Sequence, residues 1–331
     1  MNDLRPDGPH LTAQLPSDLV SNTAIAAAPP VPMGTVANLS PALKAFSMAM
    51  RGLDRIAPRV STDLMVKHFL RPRRRPSEYQ TRLPEGAKRL AIDHRGQQLT
   101  GWSWGESGPS VLLVHGWEDH SGAMLRLVGP LRKRGYQVVA MDAPGHGLSP
   151  AMDTHLLDTG EALSTLMNQV GRFQAIIAHS YGGAAAAILL ARQPRLMPDY
   201  LTLVSPMRDI RQHLAIFAGI ARLSQAGWDR LEHTMQRQLG QSLDDISTLL
   251  AAEHINVPGL IVHDREDPLI PFANSARMAG RWTDAELLAT QGLGHRRTLG
   301  CPEVAGEILT RMDRCLEPRA ERCRHTAGSP V

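Results

Sequence analysis

The sequence predicts an α/β fold: a mostly parallel, eight-stranded sheet with helices on both faces and a small helical cap. Three observations carry this prediction. From about residue 86, short β-rich runs alternate with segments of helical period, the order that builds a parallel sheet through helical crossovers. The last six of those runs are apolar throughout, as strands covered on both faces must be. The stretch between the sixth and seventh runs, residues 208–257, is too long for a plain connection yet keeps helical spacing.

Taken in chain order, residues 1–41 hold Pro-Pro-Val-Pro and Ala-rich, weakly patterned sequence and read as a disordered segment. Residues 42–85 read as a helical arm, with the apolar stripe Leu43, Phe46, Met50, Leu53, Ile56, Val60 and Leu64 interrupted by Pro58. Lys44, Arg51 and Arg55 occupy its polar face, and two readings stay open. Either the arm packs on the body, or residues 42–75 form an amphipathic segment that meets a membrane surface or a partner.

The main domain is expected over residues 86–314. "AKRLAID" and "QLTGWSW" lie close enough to form a β-meander, followed by "SVLLVHG", "YQVVAMD", "FQAIIAHS", "YLTLVS", "GLIVHD" and "AELLAT". Segments such as "MLRLVGPLRKRG" and "HLLDTGEALSTLMNQV" supply the intervening helices. Within 208–257, Ile216, Ile220 and Leu223 share helical spacing, as do Met235, Leu239, Leu243, Ile246 and Leu250, so this insertion is the cap. Residues 315–331 are polar and without period, a flexible tail.

Composition narrows the class of function. The formal charge is +4, and much of the excess sits in "RPRRRP" at Arg71, Arg73, Arg74 and Arg75. With no interleaved aromatic residues and no nucleic-acid fold signature, this reads as a solvated or phosphate-touching run, and no nucleic-acid partner is expected. Three cysteines, with Cys315 and Cys323 at or in the tail, make no disulfide framework, so a reducing cytoplasmic location is expected. The first twenty residues lack the basic and apolar regions of a secretory signal, and no window approaches the roughly 18 apolar residues of a membrane span. There is no H-E-x-x-H, no paired C-x-x-C, no P-loop and no G-x-G-x-x-G, so neither a metal nor a cofactor is expected.

The chemistry concentrates in "QAIIAHSYGGAAAAILLA". "FQAIIAHS" reads as a strand and "GGAAAAILLA" opens a helix, which leaves His179-Ser180-Tyr181 on the turn between them. A nucleophilic serine on such a turn needs small residues two before and two after it, here Ala178 and Gly182. A serine hydroxyl also needs a base, and the base an orienting acid. After the insertion, "IVHDREDPLIP" offers Asp264 and Asp267, and "QGLGHRRTLG" offers His295; Asp209 in "SPMRDI" is a third candidate acid. Two backbone donors should receive the developing oxyanion, the N–H of Tyr181 and that of Trp117 in the loop after "SVLLVHG".

The order of "LLVHGW", "MDAPGHGLS", "AHSYGG", "HDREDPLIP" and "GLGH" resembles the α/β-hydrolase superfamily over residues 88–314, with Ala178 where the family usually has glycine. The resemblance implies the α/β-hydrolase fold, and an Asp-x-x-Val/Ile-Pro acid loop that favours Asp267 over Asp264. It also implies a serine hydrolase, a carboxylesterase, lipase or thioesterase, with Ser180, Asp267 and His295 as its triad. His146 in "MDAPGHGLS" is not expected to be a ligand. The apolar insertion, through Phe217, Ile220 and Leu223, points to a small hydrophobic acyl ester or thioester as substrate. An acyltransferase, a carbon–carbon bond hydrolase, a cofactor-free haloperoxidase and a non-catalytic binding protein remain alternatives on the same fold.

Overall fold

Residues of β3 (Ser110–Val114) show why the apolar runs become buried strands. Val111 and Leu113 join the hydrophobic cluster on one face of the sheet, while Leu112 and Val114 join the cluster on the other. The computed structural model describes residues 40–74 and 84–316. Expectations for residues before Ser40, for Arg75, and for residues after Leu316, Cys323 included, lie outside the described residues.

The chain begins with α1 (Pro41–Ile56) and α2 (Pro58–Leu70), then enters the sheet through β1 (Lys88–His94) and β2 (Gln97–Trp104). The remaining strands are β3 (Ser110–Val114), β4 (Gln137–Met141), β5 (Ala175–His179), β6 (Tyr200–Val204), β7 (Gly259–Asp264) and β8 (Ala285–Thr290). They form one sheet in the order β1-β2-β4-β3-β5-β6-β7-β8. β2 pairs antiparallel with both β1 and β4, as a meander requires, and the other pairings are parallel. From β3 the chain crosses to β4 on one side, and from β5 it crosses to β6 on the other. Their carboxyl ends are adjacent, with Val114 opposite Ala178, so the loops leaving them diverge and open a crevice there.

Helices α3 (Leu125–Lys133), α4 (Leu156–Val170) and α5 (Ser180–Arg192) fill the crossovers. The insertion contains α6 (Ile210–Ala221), α7 (Gln225–Leu239) and α8 (Thr248–Ala252). The fold closes with α9 (Phe272–Ala279), α10 (Gly294–Gly300) and α11 (Pro302–Leu316). α4, α5, the insertion and the arm cover one face of the sheet, while α3 and α11 cover the other.

Two helical stripes read from sequence are shorter than expected. α6 stops at Ala221 because Arg222 turns left-handed at φ +53°, which leaves Leu223 beyond the helix. α7 stops at Leu239 because Gly240 takes φ +69°. Leu243 and Ile246 are buried in the connection to α8, and Leu250 belongs to that next helix.

The arm's stripe is also divided. Pro58 lacks the amide that would continue α1, and Ala57 before it leaves helical geometry at φ −141°. α1 turns Met50 inward while α2 buries Met65, Val66 and Leu70, so Ile56 and Val60 end on the outside, 82% and 50% exposed. The inner side of the arm packs on the insertion. Phe217 of α6 lies against Phe46 and Phe69 at ring-centroid distances of 6.3 and 5.9 Å. The buried Asp54 carboxylate accepts from the Ser224 amide and hydroxyl and from Arg230, which fixes the start of α7.

Candidate active site

β5 ends at His179 and α5 starts at Ser180, so the serine sits on the turn with a left-handed φ of +52°. For a non-glycine residue this costs on the order of 1–2 kcal/mol, and the surrounding chain enforces it. A Cβ on Gly182 would lie 2.2 Å from the His115 carbonyl oxygen, so only glycine passes there. A Cβ on Gly183 would meet nothing closer than the Ala178 carbonyl oxygen at 3.4 Å. The turn therefore places Ser180, only 8% exposed, at the carboxyl end of β5 beside β3.

Three side chains far apart in sequence form a continuous hydrogen-bonded chain at that point. His295 Nε2 lies 2.9 Å from Ser180 Oγ, and His295 Nδ1 lies 2.7 Å from Asp267 Oδ2. A carboxylate accepts only, so Nδ1 carries the proton and Nε2 is free to accept from the Ser180 hydroxyl. The Asp267 side chain is fully enclosed. Burial pushes its carboxyl up, but donors from His263, His295 and the Ile270 amide more than offset this and hold it well below the usual carboxylate range. Its other oxygen accepts from the amides of Leu269 and Ile270 at 2.8 and 2.9 Å, which fixes the carboxylate plane.

The other two candidate acids have different partners. Asp264 accepts from Thr290 Oγ1 at 2.7 Å and from the amides of Leu293 and Glu266 at 2.9 and 3.0 Å, bracing the loop that carries His295. Asp209 caps α6 through the Gln212 amide and pairs with Arg208.

The loop after β3 lies directly against the turn. A Cβ on Gly116 would be 3.3 Å from Ser180 Cβ, so the segment that leads into Trp117 runs beside the serine. His115 pins this loop: Nδ1 donates to the Gly116 carbonyl at 2.7 Å, and Nε2 accepts from the Ala143 amide at 3.0 Å. The Tyr181 hydroxyl is 3.0 Å from Thr159 Oγ1, so its ring is turned towards α4 and its backbone N–H stands in the unpaired first turn of α5. The Trp117 ring packs on Tyr181 and on His146, at 4.9 and 5.0 Å. Burial pushes the His146 imidazole down to about 3, so it is neutral.

The arm reaches this loop as well. Glu118, left-handed at φ +53°, accepts from the Arg73 backbone and from two guanidinium nitrogens of Arg73, at 3.2, 2.7 and 2.9 Å. Arg74 donates to the carbonyls of Gly147 and Ser149, in the turn after β4. Arg73 and Arg74 stay exposed at the surface, and they also fasten the arm to the loops beside Ser180.

No three His, Cys, Asp or Glu side chains among the described residues come together so as to hold a metal ion. No helix among them is long and apolar enough to cross a membrane.

Comparison with known proteins bears on the family. A model described as "Serine aminopeptidase, S33" matches residues 105–247. A thioesterase domain from the curacin biosynthetic pathway superposes with TM-score 0.52 at 20% identity, over 68% of this chain and 99% of that one. The chain has the α/β-hydrolase fold, and residues 105–247 match a serine-hydrolase family of that fold. A crystal structure titled as a membrane phospholipase A is similar to this chain at TM-score 0.56 and 17% identity, covering 84% of this chain and 98% of that one. Among curated relatives, a serine hydrolase-like protein of Danio rerio is 34% identical over 42% of each chain. Pimeloyl-[acyl-carrier protein] methyl ester esterase of Chromobacterium violaceum is 27% identical over 53% of this chain and 71% of that one. The chain spans about half, or less, of the length of the serine hydrolase-like relatives it matches.

Three histidines beside the site were not singled out by sequence. His179 Nε2 donates to the His295 carbonyl at 3.1 Å, and the two rings lie 4.8 Å apart. Burial, with the neighbouring His295, pushes His179 down to about 3. His263 Nε2 reaches Asp267 at 3.3 Å and the Ile270 carbonyl at 3.0 Å, while Nδ1 is 2.7 Å from Ser275 Oγ. His213 of α6 lies within electrostatic reach of His295, with Nδ1 buried and unpartnered, and burial pushes it down to about 4. A lone histidine in a strand or helix carries no sequence signal of this kind; only the adjacency of His179 to Ser180 and of His263 to Asp264 hinted at it.

Phe217 lies one helical turn beyond His213 and meets the arm, and Ile220 is half-buried. Leu223 lines a groove between arm and insertion that shares no residue with the Ser180–His295–Asp267 chain.

Proposed function

We propose that this α/β hydrolase is a serine hydrolase that cleaves a carboxylic ester or thioester of a hydrophobic acyl group. The observation that carries the reading is the hydrogen-bonded chain from Ser180 Oγ through His295 to Asp267, on a serine held at φ +52°. In the first half-reaction Ser180 Oγ attacks the acyl carbon as its proton passes to His295 Nε2, and the bond to the leaving alcohol or thiol breaks as His295 returns that proton. The backbone N–H groups of Tyr181 and Trp117 receive the oxyanion. Water, deprotonated by the same nitrogen, then attacks the acyl-serine and releases the acid. Asp267 keeps the Nδ1 proton in place and stabilises the imidazolium.

The insertion serves as a cap in this reading. Phe217 on α6 packs against Phe46 and Phe69 of the arm, and His213 on the same helix lies within electrostatic reach of His295; in this reading α6 offers the substrate a neutral, apolar side that favours an acyl chain over a charged group. Similarity to proteins named as a thioesterase domain and a methyl ester esterase supports the same reaction class. The test is hydrolysis of p-nitrophenyl esters of graded acyl length by the wild type and by Ser180→Ala. The reading expects turnover in the wild type, an acyl-length preference that shifts in Phe217→Ala, and loss of turnover in Ser180→Ala. Equal turnover by Ser180→Ala, or none by the folded wild type across the series, would contradict it.

A further inference from the structure

The outer side of the arm has a composition that its inner packing does not explain. A groove of about 280 Å³ separates α1 from the start of α7, lined by Arg51, Asp54, Arg55, Arg222, Leu223 and Ser224. Its single carboxylate is already engaged, since Asp54 accepts from Ser224 and Arg230. Arg51, Arg55 and Arg222 make no hydrogen bond or ion pair with their side chains among the described residues. Three arginines thus line one open site, and among the described residues no free carboxylate lines it with them. Guanidinium forks match phosphate oxygens, so the site is complementary to a phosphate group.

The groove does not stand alone. At about 100° per residue, Lys44, Met48, Arg51, Arg55 and Ile56 fall within an arc of about 140° on α1. Phe46, Met50 and Leu53 occupy the opposite side, facing the insertion. Met48, Ile56 and Val60 are 67%, 82% and 50% exposed, and with Leu269 they are the large hydrophobic residues left exposed among those described. Arg59 and Lys67 add exposed cations on α2, where Asp63 is the exposed acid. Apolar side chains set among unpaired cations suit a surface that offers both negative charge and hydrocarbon. An anionic lipid bilayer offers both, whereas nucleic acid or an acidic protein surface would leave the apolar residues in contact with charge.

We propose that this face docks on membranes containing anionic phospholipid, with a lipid phosphate in the Arg51–Arg55–Arg222 groove and Met48, Ile56 and Val60 in the interfacial layer. The contact is peripheral and independent of the chemistry assigned to Ser180. Because α1 also packs on α6 and caps α7, docking holds the insertion at the bilayer surface.

The experiment uses the full chain in flotation with vesicles of phosphatidylcholine alone and of phosphatidylcholine with phosphatidylglycerol. Binding to the phosphatidylglycerol vesicles, weakening as salt is added, is expected, with little binding to phosphatidylcholine. Arg51→Gln with Arg55→Gln should weaken it roughly thirtyfold, from about a fivefold contribution per cation near an anionic surface. Ile56→Ser should weaken binding while leaving the salt dependence unchanged. Near-UV circular dichroism and fluorophosphonate labelling report that each variant keeps its fold. Equal binding to both vesicle types, undiminished binding by the folded double variant, or absence of vesicle binding would overturn the proposal. So would competition by inorganic phosphate for the groove in a protein that binds no vesicles, which would mark a free-phosphate site instead.

Discussion

Replacing Asp267 by Asn separates the roles of the two aspartates in the loop after β7. The carboxylate makes four contacts: one oxygen takes the Leu269 and Ile270 amides, and the other takes His295 and His263. Asparagine keeps one acceptor. If its oxygen stays with the two backbone amides, its NH2 faces His295 Nδ1, and two donors then oppose each other. The imidazole relieves this by moving its proton to Nε2, which leaves no lone pair for the Ser180 hydroxyl. A wrong tautomer of this kind costs about 10⁴-fold in kcat in a Ser-His-Asp enzyme, about 5.5 kcal/mol of barrier. Asp264→Asn removes charge from contacts to Thr290, Leu293 and Glu266, none of which reacts. It should lower stability by about 1–3 kcal/mol and leave kcat within roughly tenfold. Steady-state hydrolysis of one p-nitrophenyl ester, with urea melts of both variants, reads the two effects separately. If Asp264→Asn loses more activity than Asp267→Asn, or Asp267→Asn stays within tenfold of wild type, the assignment of the acid is wrong.

Other variants probe the elements around the site. Gly182→Ala should fail to fold or lose several kcal/mol, roughly the scale of a backbone overlap in a packed core, because its Cβ would lie 2.2 Å from a carbonyl oxygen; Gly183→Ala, with 3.4 Å of clearance, should melt near wild type. Arg73→Ala should barely change Tm, since the Arg73 side chain is 82% exposed, yet lower kcat by about tenfold through loosening of the Trp117 loop; unchanged kcat would show that the clamp does not position that loop. Stability should fall as pH drops from 6.5 to about 3, the His213 part being complete by about 4. His146, His179 and His213 are held neutral in the fold, at about 3, 3 and 4, while the unfolded chain gains their protons near 6.5. Each group then contributes a loss of about 1.4 kcal/mol per pH unit, and equal urea midpoints at pH 7 and pH 5 would contradict their burial as neutral rings.

The sheet was legible because strands covered on both faces must be apolar along their length, and runs such as "SVLLV" leave little room for another reading. The meander at β1 and β2 followed from their closeness in sequence. The turn at Ser180 was legible because the polar triplet interrupts an apolar strand and a small-residue helix, although all three of its residues are buried.

What sequence could not supply depends on turns and on distance along the chain. Asp264 and Asp267 stand three residues apart in one loop, and only the local turn decides which carboxylate meets His295. Pattern ranks them but does not orient them. The Arg73–Glu118 clamp joins residues 45 positions apart on two loops, and neither side chain announces its partner. The arm's stripe misled at Ile56 and Val60 because the break at Ala57–Pro58 rotates the second helix relative to the first. Leu223 falls outside the helical stripe because a left-handed residue, Arg222, ends α6 immediately before it.

The central claim is that Ser180 is an activated nucleophile, and covalent labelling tests it most directly. The full chain is treated with a fluorophosphonate, digested and mapped by mass spectrometry, with Ser180→Ala and His295→Ala treated in parallel. The account predicts a single phosphonyl adduct on the peptide containing Ser180, absent in Ser180→Ala and slowed by orders of magnitude in His295→Ala. Wild-type protein that is folded yet unlabelled at Ser180, or labelled there at the same rate without His295, would contradict it.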